Sequence, residues 1–175
     1  IAQKFNKDFN TNLFPMPKPL IFGEATRVMN LRDGTKKMSK SDPSDYSRIM
    51  LNDSAENIVQ KIKKAKTDPY PLPESFEAAV KRPEALNLLS IFAAINNIST
   101  EKVILEFAGK EFSLLKKDLS DSIVEKIGPI NNQMNKLMGD KGYLDNVMKE
   151  GKNKAIYIAD SVLAEVYNVI GLLKN

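Results

Sequence analysis

The sequence predicts a mainly α-helical protein in two parts, a short mixed segment up to about residue 45 and an all-α bundle over residues 46–175. Two observations predict this class. Prolines 15, 17 and 19 exclude a regular helix from the early segment. Beyond residue 50, apolar residues recur at the three- and four-residue spacing of amphipathic helices. Hydrophobic residues make up 42% of the 175 residues, which is enough for a packed core.

The chain opens with a predicted helix and an extended connection. Ile1, Phe5 and Phe9 lie four residues apart and would share one helix face. The proline-containing residues 11–20 follow as an extended segment, because proline and the residue before it both disfavour helix. The chain is therefore predicted to begin with the end of an amphipathic helix, which is followed by irregular structure.

A strand, a turn and a charged loop follow. Arg27–Leu31 reads RVMNL and predicts a short strand, and Asp33-Gly34 is typical of a turn. Next comes the loop Lys37–Ser41, which reads KMSKS and is closed by Asp42-Pro43. The edge of a sheet where a strand ends is a common place for nucleotides to bind.

Helices account for the rest of the chain. Ser54 is the predicted N-cap of a helix reaching about Lys66. A second helix is predicted over 84–97, and Ser99 or Thr100 would cap a third. The remaining predicted elements are a helix over 111–127, a break at Gly128-Pro129, a continuation to about Met138, a loop over 139–142, a short helix over 143–149 and a long helix from about Lys152 to Leu172.

Composition excludes several kinds of chemistry. The absence of cysteine rules out disulfides and thiolate metal sites, and the absence of histidine rules out histidine acid–base catalysis within this chain. Lys and Arg total 26 against 22 acidic residues, so the net charge is only mildly positive, at +4. The most apolar run, residues 85–95, is too short to span a bilayer.

The KMSKS loop is the strongest candidate for a binding site. Lys36, Lys37 and Lys40 crowd together beside the hydroxyls of Ser39 and Ser41. An anion would relieve the repulsion between the lysines, and lysine ammonium groups and serine hydroxyls both suit phosphate oxygens. A mobile loop of this kind could close over the phosphates of a nucleotide.

The motif is identical to the second signature of class I aminoacyl-tRNA synthetases, and its surroundings resemble bacterial tryptophanyl-tRNA synthetases over essentially the whole chain. Further matches are RVMNL, Lys61-Ile62-Lys63, Ala65-Lys66-Thr67-Asp68, Asn87-Leu88-Leu89, Gly109-Lys110, Lys117-Asp118-Leu119, Pro129-Ile130, Gly151 with Lys154-Ala155, and Gly171-Leu172. The sequence departs from the family at Ala25-Thr26, where the family usually has Gly-Ala, and at Gly34, where it usually has proline. Glycine predicts a looser turn there.

The resemblance implies an activity and its participants. Tryptophan and ATP would give tryptophanyl-adenylate and pyrophosphate, and the tryptophanyl group would pass to tRNA(Trp). ATP would come with Mg²⁺, for which no ligand in this chain is implied. The resemblance further implies a homodimer in the cytoplasm without a membrane partner. The catalytic residues implied are Lys37 and Lys40, and the nucleotide-binding residues are Val28, Lys37, Met38, Ser39, Lys40 and Ser41.

The family's first signature contains histidine and has no counterpart here. We therefore expect the C-terminal half of such an enzyme, inactive alone. Residues 1–45 would hold the last strand and KMSKS loop of a Rossmann-like fold, and 46–175 an α-helical domain that binds the tRNA anticodon.

Clustered lysines could contact the tRNA backbone. Tyr143 and Tyr157 could stack on RNA bases, but they are expected instead at the core or its boundary. The lysines are Lys61, Lys63, Lys64 and Lys66 in the first helix of the bundle and Lys149, Lys152 and Lys154 near the last. Three alternatives remain open: the C-terminal half of a tyrosyl-tRNA synthetase, a stand-alone helical RNA-binding module, and a plain helical interaction domain.

Overall fold

The structure is a computed structural model that describes residues 1–172. Over these residues the protein is mainly helical, as predicted, with one small sheet. The elements in chain order are α1 (Ala2–Asp8), β1 (Met29–Asn30), β2 (Asp33–Lys37), α2 (Ala55–Lys63), α3 (Phe76–Val80), α4 (Pro83–Asn96), α5 (Thr100–Phe107), α6 (Phe112–Gly139) and α7 (Lys141–Ile170). The chain divides into two compact units, Ile21–Lys136 and a second made of Ile1–Leu20 with the chain from Leu137 onward.

The two strands form an antiparallel hairpin, which corrects the predicted turn. Met29 lies opposite Lys37 and Asn30 opposite Asp33, with an irregularity between the two pairs. The turn is at Leu31-Arg32, where the Asn30 side-chain oxygen accepts a hydrogen bond from the Arg32 amide at 2.7 Å. An Asx side chain can replace a backbone turn in this way, so Asp33-Gly34 starts the second strand instead of making the turn.

Close packing against α4, and not the flexibility of a turn, explains why residue 34 is a glycine. Gly34 is buried in β2, and a Cβ atom at this position would lie 2.6 Å from the carbonyl carbon of Pro83 and 2.7 Å from the amide nitrogen of Glu84. Both are backbone atoms in the first turn of α4. The hairpin therefore lies directly against that helix, and the Asn87 side chain brackets the Met29 backbone with two 2.9 Å hydrogen bonds.

Capping residues fix the starts of the helices in this unit. Ser54 accepts a hydrogen bond from the Asn57 amide at 3.2 Å, and Ser99 accepts one from the Lys102 amide at 3.3 Å, as their sequences predict. α4 confirms the helix predicted over 84–97. The short helix α3, capped by Ser75, was not predicted.

The core of this unit forms where the apolar faces of α2, α4, α5 and α6 meet. Its fully buried large side chains include Ile58, Ile62, Leu88, Leu89 and Phe107. Burying each such side chain stabilises the folded state by about 1.5–3 kcal/mol. This core holds the helices that flank the hairpin.

Two predicted breaks in the C-terminal part are wrong. α6 continues through Pro129. The proline costs the helix only one backbone donor, and the part of the helix before it is anchored by the buried side chains Leu115, Leu119 and Ile123. The predicted loop over 139–142 reduces to one residue, Asp140, whose carboxylate caps α7 by accepting from the Tyr143 amide at 2.9 Å.

α7 is one helix of 30 residues where the sequence predicts two, and it runs uninterrupted through Gly151. None of its side chains is buried. Ile158, which the spacing places on an apolar face, is 69% exposed. In the same unit, α1 confirms the first predicted helix, and Phe5 packs on Phe9 and Phe14 with ring centroids 4.8 and 5.0 Å apart.

Within residues 1–172, no single helix has both the length and the apolar character needed to cross a bilayer. α4 and α5 reach that length and composition only as a pair, and the pair is bent by 115°.

Candidate phosphate-binding loop

The KMSKS loop projects from the end of the hairpin. Lys37 is the last residue of β2, and the next residue, Met38, donates its amide hydrogen to the Val28 carbonyl at 3.0 Å. Val28 and Met38 are partly buried and pack against the core. The N-terminal end of the loop is therefore fixed to the sheet, and Lys37 extends from a regular strand.

The tip of the loop is exposed and held by its own hydroxyls. The Ser39 and Ser41 Oγ atoms lie 3.1 Å apart, and the Ser41 amide donates to the Ser39 Oγ at 3.3 Å. Lys40 lies between them and is exposed. The predicted phosphate-binding groups are thus brought together over three consecutive residues.

The three lysines of the loop region differ in their partners. Lys36 forms a 3.0 Å ion pair with Asp33. The pKa of the Asp33 carboxyl is lowered to about 2, chiefly by the hydrogen bond from the Thr35 side chain and then by the one from Lys36. Lys37 and Lys40, in contrast, form no ion pair with any residue of the described chain. Two cations therefore remain available to an anionic ligand.

The C-terminal end of the loop is fixed at Asp42. Its carboxylate accepts hydrogen bonds from the Asn30 side-chain amide at 3.0 Å and from the Ser44 amide at 2.8 Å. Its carbonyl oxygen accepts from Arg48 Nη1 at 2.8 Å. Both ends of the loop are therefore held, and only Ser39–Ser41 extend between them.

A buried ion cluster lies beneath this end of the loop. The Lys61 side chain is 3% exposed, and its Nζ donates to Asp53 at 2.7 and 2.8 Å and lies 2.9 Å from an Asp45 oxygen. Burial opposes the charge on Lys61, but the hydrogen bonds that its ammonium donates to Asp53 and Asp45 outweigh it, so the pKa of Lys61 is raised. The prediction that Lys61 contacts tRNA is wrong, because this ammonium is inaccessible.

The other lysines near α2 are largely engaged. Lys64 lies 4.4 Å above the Tyr46 ring, and Lys66 forms a 2.9 Å ion pair with Glu84. Lys63 is exposed and forms no ion pair within the described chain. The predicted basic cluster therefore contributes two lysines that form no ion pair within the described chain, Lys63 and Lys64, and not four.

Residues of α7 show the opposite pattern. Lys149, Lys152 and Lys154 are exposed, as a contact with an anionic partner requires. Tyr143 is 50% exposed and Tyr157 is 86% exposed, so the expectation that they lie in the core or at its boundary is wrong. Exposed tyrosines beside lysines are the side chains on which unpaired RNA bases stack.

A concavity of about 540 Å³ opens beside the loop, lined by Met38, Lys40 and Arg48 together with Met134 of α6. Over residues 1–172, no three histidine, cysteine, aspartate or glutamate side chains come close enough to hold a metal ion. The polar side chains of the loop itself are cationic or carry hydroxyls. Its free lysines and hydroxyls can bind an anion such as a phosphate chain.

Sequence reasoning missed two residues that shape this site. Asn30 and Arg48 both hold Asp42. Asn30 lies in the RVMNL segment, which predicts only a strand, and Arg48 belongs to no motif or helical period. Asp42 itself was recognised only as the residue that closes the loop. Contacts of this kind join residues 6 and 12 positions apart, a separation that corresponds to no regular secondary structure.

Comparison with known proteins identifies the family of the chain. The family of class I tRNA synthetases (W and Y) matches residues 1–126. The tryptophan–tRNA ligase of Caulobacter vibrioides is 50% identical over 172 residues, which cover 98% of this chain and 50% of that protein. The chain spans about half the length of the curated relatives it matches.

Solved structures agree as well. Tryptophanyl-tRNA synthetase from Mycoplasma pneumoniae superposes with a TM-score of 0.77 at 28% identity, over 98% of this chain and 51% of that one. The Campylobacter jejuni enzyme, solved in complex with ADP and tryptophan, shares the fold with a TM-score of 0.61 at 21% identity, over 98% of this chain and 51% of that one. The chain therefore belongs to the class I tRNA synthetase family that contains the tryptophan and tyrosine enzymes.

Proposed function

We propose that this chain is part of a tryptophan–tRNA ligase and supplies its KMSKS loop and tRNA-binding helices. The protein that carries it would join tryptophan to ATP, release pyrophosphate, and pass the tryptophanyl group to tRNA(Trp). The single observation that carries this proposal is the pair of unpaired cations, Lys37 and Lys40, on a loop whose two ends are fixed. The 50% sequence identity with a tryptophan–tRNA ligase over 98% of this chain supports tryptophan as the amino acid that is activated.

Charge neutralisation is the role of the loop in the first step. As the bond between the α- and β-phosphates breaks, negative charge builds on the departing pyrophosphate. The Lys37 and Lys40 ammonium groups stabilise that charge, and the Ser39 and Ser41 hydroxyls donate to the same oxygens. Because the lysines carry their charge before ATP arrives, little reorganisation is needed during the reaction.

Val28 and Met38 complete the nucleotide site. They are adjacent in the hairpin, joined by a 3.0 Å backbone hydrogen bond, and each leaves part of its side chain accessible. The Val28 backbone lies beside the adenine in this proposal, and Met38 shapes the wall of the site. Mg²⁺ would accompany ATP, and no residue of this chain is assigned as its ligand.

We also propose that the two parts of the chain have different roles. Residues 1–45 form the edge of a Rossmann-like catalytic domain, and residues 46–175 form a helical domain that contacts the tRNA anticodon. The exposed lysines and tyrosines of α7 support an RNA-facing role for that helix, because charge binds the RNA backbone and aromatic rings stack on bases. The whole enzyme is a cytoplasmic homodimer in this proposal.

Replacing Lys40 by alanine in the native protein that carries this chain tests the role of the loop. We expect the rate of tryptophan-dependent ATP–pyrophosphate exchange to fall about a hundredfold, as for removal of one stabilising donor in a transition state. Tryptophan affinity, measured by equilibrium binding, should stay within about twofold, because the loop touches ATP and not the amino acid.

The matched control is Lys102→Ala, which removes an exposed lysine of α5 and should leave the exchange rate unchanged. Equal losses of exchange rate and tryptophan affinity in Lys40→Ala would refute the assignment of this residue. Exchange driven by tyrosine and not by tryptophan would instead select the tyrosine enzyme.

A further inference from the structure

Arg48 holds the C-terminal end of the KMSKS loop, and no part of the sequence motif includes it. We propose that Arg48 is a positioning residue, which places Lys40 for pyrophosphate by fixing the backbone of Asp42. This inference rests on the proposed function of the loop. It adds a residue outside the motif through which the position of the second lysine is controlled.

The contacts of Arg48 are to backbone atoms of the loop end. Nη1 donates to the Asp42 carbonyl at 2.8 Å and to the Ser44 carbonyl at 3.2 Å. A guanidinium group presents its donors in a rigid plane, so one side chain can fix two carbonyls in a set geometry. Lys40 is two residues from the nearer carbonyl, with no regular element between them.

Arg48 is itself fixed from the opposite side. Its Nη2 lies 3.4 Å from an Asp45 carboxylate oxygen, and the other oxygen of Asp45 lies 2.9 Å from Nζ of buried Lys61. Lys61 is anchored in turn by Asp53. The loop end is thereby connected through an unbroken series of charged groups to α2, one of the core helices.

Among the described residues, the hydrogen bonds of the Arg48 guanidinium are all made through Nη1. The Nε atom of Arg48 is buried and has no hydrogen-bond partner in the described chain. Leaving a buried donor without a partner is unfavourable. Both hydrogen bonds of this side chain therefore go to backbone carbonyls at the end of the loop, where they can fix the course of the chain.

The two lysines of the motif should depend on Arg48 to different degrees. Lys37 is the last residue of β2 and is followed directly by the Met38–Val28 hydrogen bond, so the sheet places it. In the part of the chain that the structure describes, no hydrogen bond to the sheet lies next to Lys40, so its position depends on how Asp42 is held at the C-terminal end of the loop. Loss of Arg48 should therefore act through Lys40 and leave Lys37 in place.

A double-mutant cycle in the native protein tests this. We expect Arg48→Met to lower the ATP–pyrophosphate exchange rate about tenfold to a hundredfold, since misplacement by about 1 Å can cost that much. Tryptophan affinity should be unchanged. Combined with Lys40→Ala, Arg48→Met should add little further loss, whereas combined with Lys37→Ala the two losses should multiply.

Arg82→Met is the matched control for folding. Arg82 is similarly buried and likewise bonds backbone carbonyls and a carboxylate, at Pro71, Tyr70 and Asp68, but it makes no contact with the loop. Both variants should lose comparable thermal stability, and only Arg48→Met should lose exchange rate. Arg48→Lys keeps the charge without the planar fork and should remain impaired.

The outcomes separate this inference from the proposed function. No tryptophan- or tyrosine-dependent exchange by the unmodified protein would overturn the proposed function itself. Normal exchange by the unmodified protein together with an unimpaired Arg48→Met variant would overturn the positioning role alone. So would losses in Arg48→Met that Arg82→Met shares, or that multiply with those of Lys40→Ala.

Discussion

The unit spanning Ile21–Lys136 and the helix α7 are built on different principles. In the first, α2, α4, α5 and α6 each bury several side chains in a common core. In the second, a helix of 30 residues buries none. Yet both have the apolar periodicity of amphipathic helices in the sequence.

The difference shows what periodicity does and does not specify. A repeat of apolar residues specifies a face, and tertiary packing decides whether that face is covered. α2 and α4 are stabilised by the core they build, whereas α7 is held by its Asp140 cap, its length and its intrinsic helix propensity. Matched substitutions in the two regions should therefore have unequal effects on stability.

The largest contrast is expected between two lysine–aspartate pairs. Lys61→Met leaves Asp53 buried without its counter-charge and should lower the free energy of unfolding by about 3–5 kcal/mol. Lys4→Met breaks a 2.6 Å pair with Asp8 in which the lysine side chain is 80% exposed, and should cost less than about 1 kcal/mol. Chemical denaturation measures both, and similar losses would contradict the contrast.

A second contrast concerns apolar side chains. Leu89 is fully buried in α4, and Leu89→Ala should lower the free energy of unfolding by about 2–5 kcal/mol, because it removes contacts and leaves a cavity. Ile158→Ala in α7 should change it by no more than about 0.5 kcal/mol. Denaturant titrations of the two variants test this. A large loss in Ile158→Ala would mean that the α7 face is covered in solution.

The smallest contrast involves two glycines and should reverse sign. Gly34→Ala places a Cβ atom against the backbone of α4 and should destabilise by about 1–3 kcal/mol. Gly151→Ala meets no atom within 4 Å and should stabilise by about 0.5–1 kcal/mol, because alanine favours helix. Thermal unfolding midpoints that shift in the same direction for both variants would rule out this explanation.

Local signals predicted much of the fold. Ser54 and Ser99 mark helix starts because a side-chain oxygen can accept from an amide three residues ahead, and that geometry depends only on neighbours. The sequence-based errors at Pro129 and Gly151 are of the opposite kind. A helix-breaking residue costs a limited free energy, and a helix long enough to supply its own hydrogen bonds continues through it.

The candidate site likewise has features that the sequence predicts and features that it does not. The KMSKS motif identified the lysines and hydroxyls, since the chemistry is carried by residue types at fixed spacing. Which lysines are available could not be predicted, because Lys61 and Lys63 lie two residues apart on one helix, yet one is buried with Asp53 and the other is exposed. That outcome depends on which elements pack against each face.

The sequence by itself determined the chemistry of this protein: a cationic loop with hydroxyls, no histidine or cysteine, and helices with capped starts. Only the tertiary structure decided where that loop is held, through Gly34 beneath α4 and through Arg48, Asp45 and Lys61 behind Asp42. The physical reason is how far apart in the sequence the interacting residues lie. Caps and helical periods arise from residues within a few positions of each other, whereas close packing and buried charge pairs require partners that only the folded chain brings together.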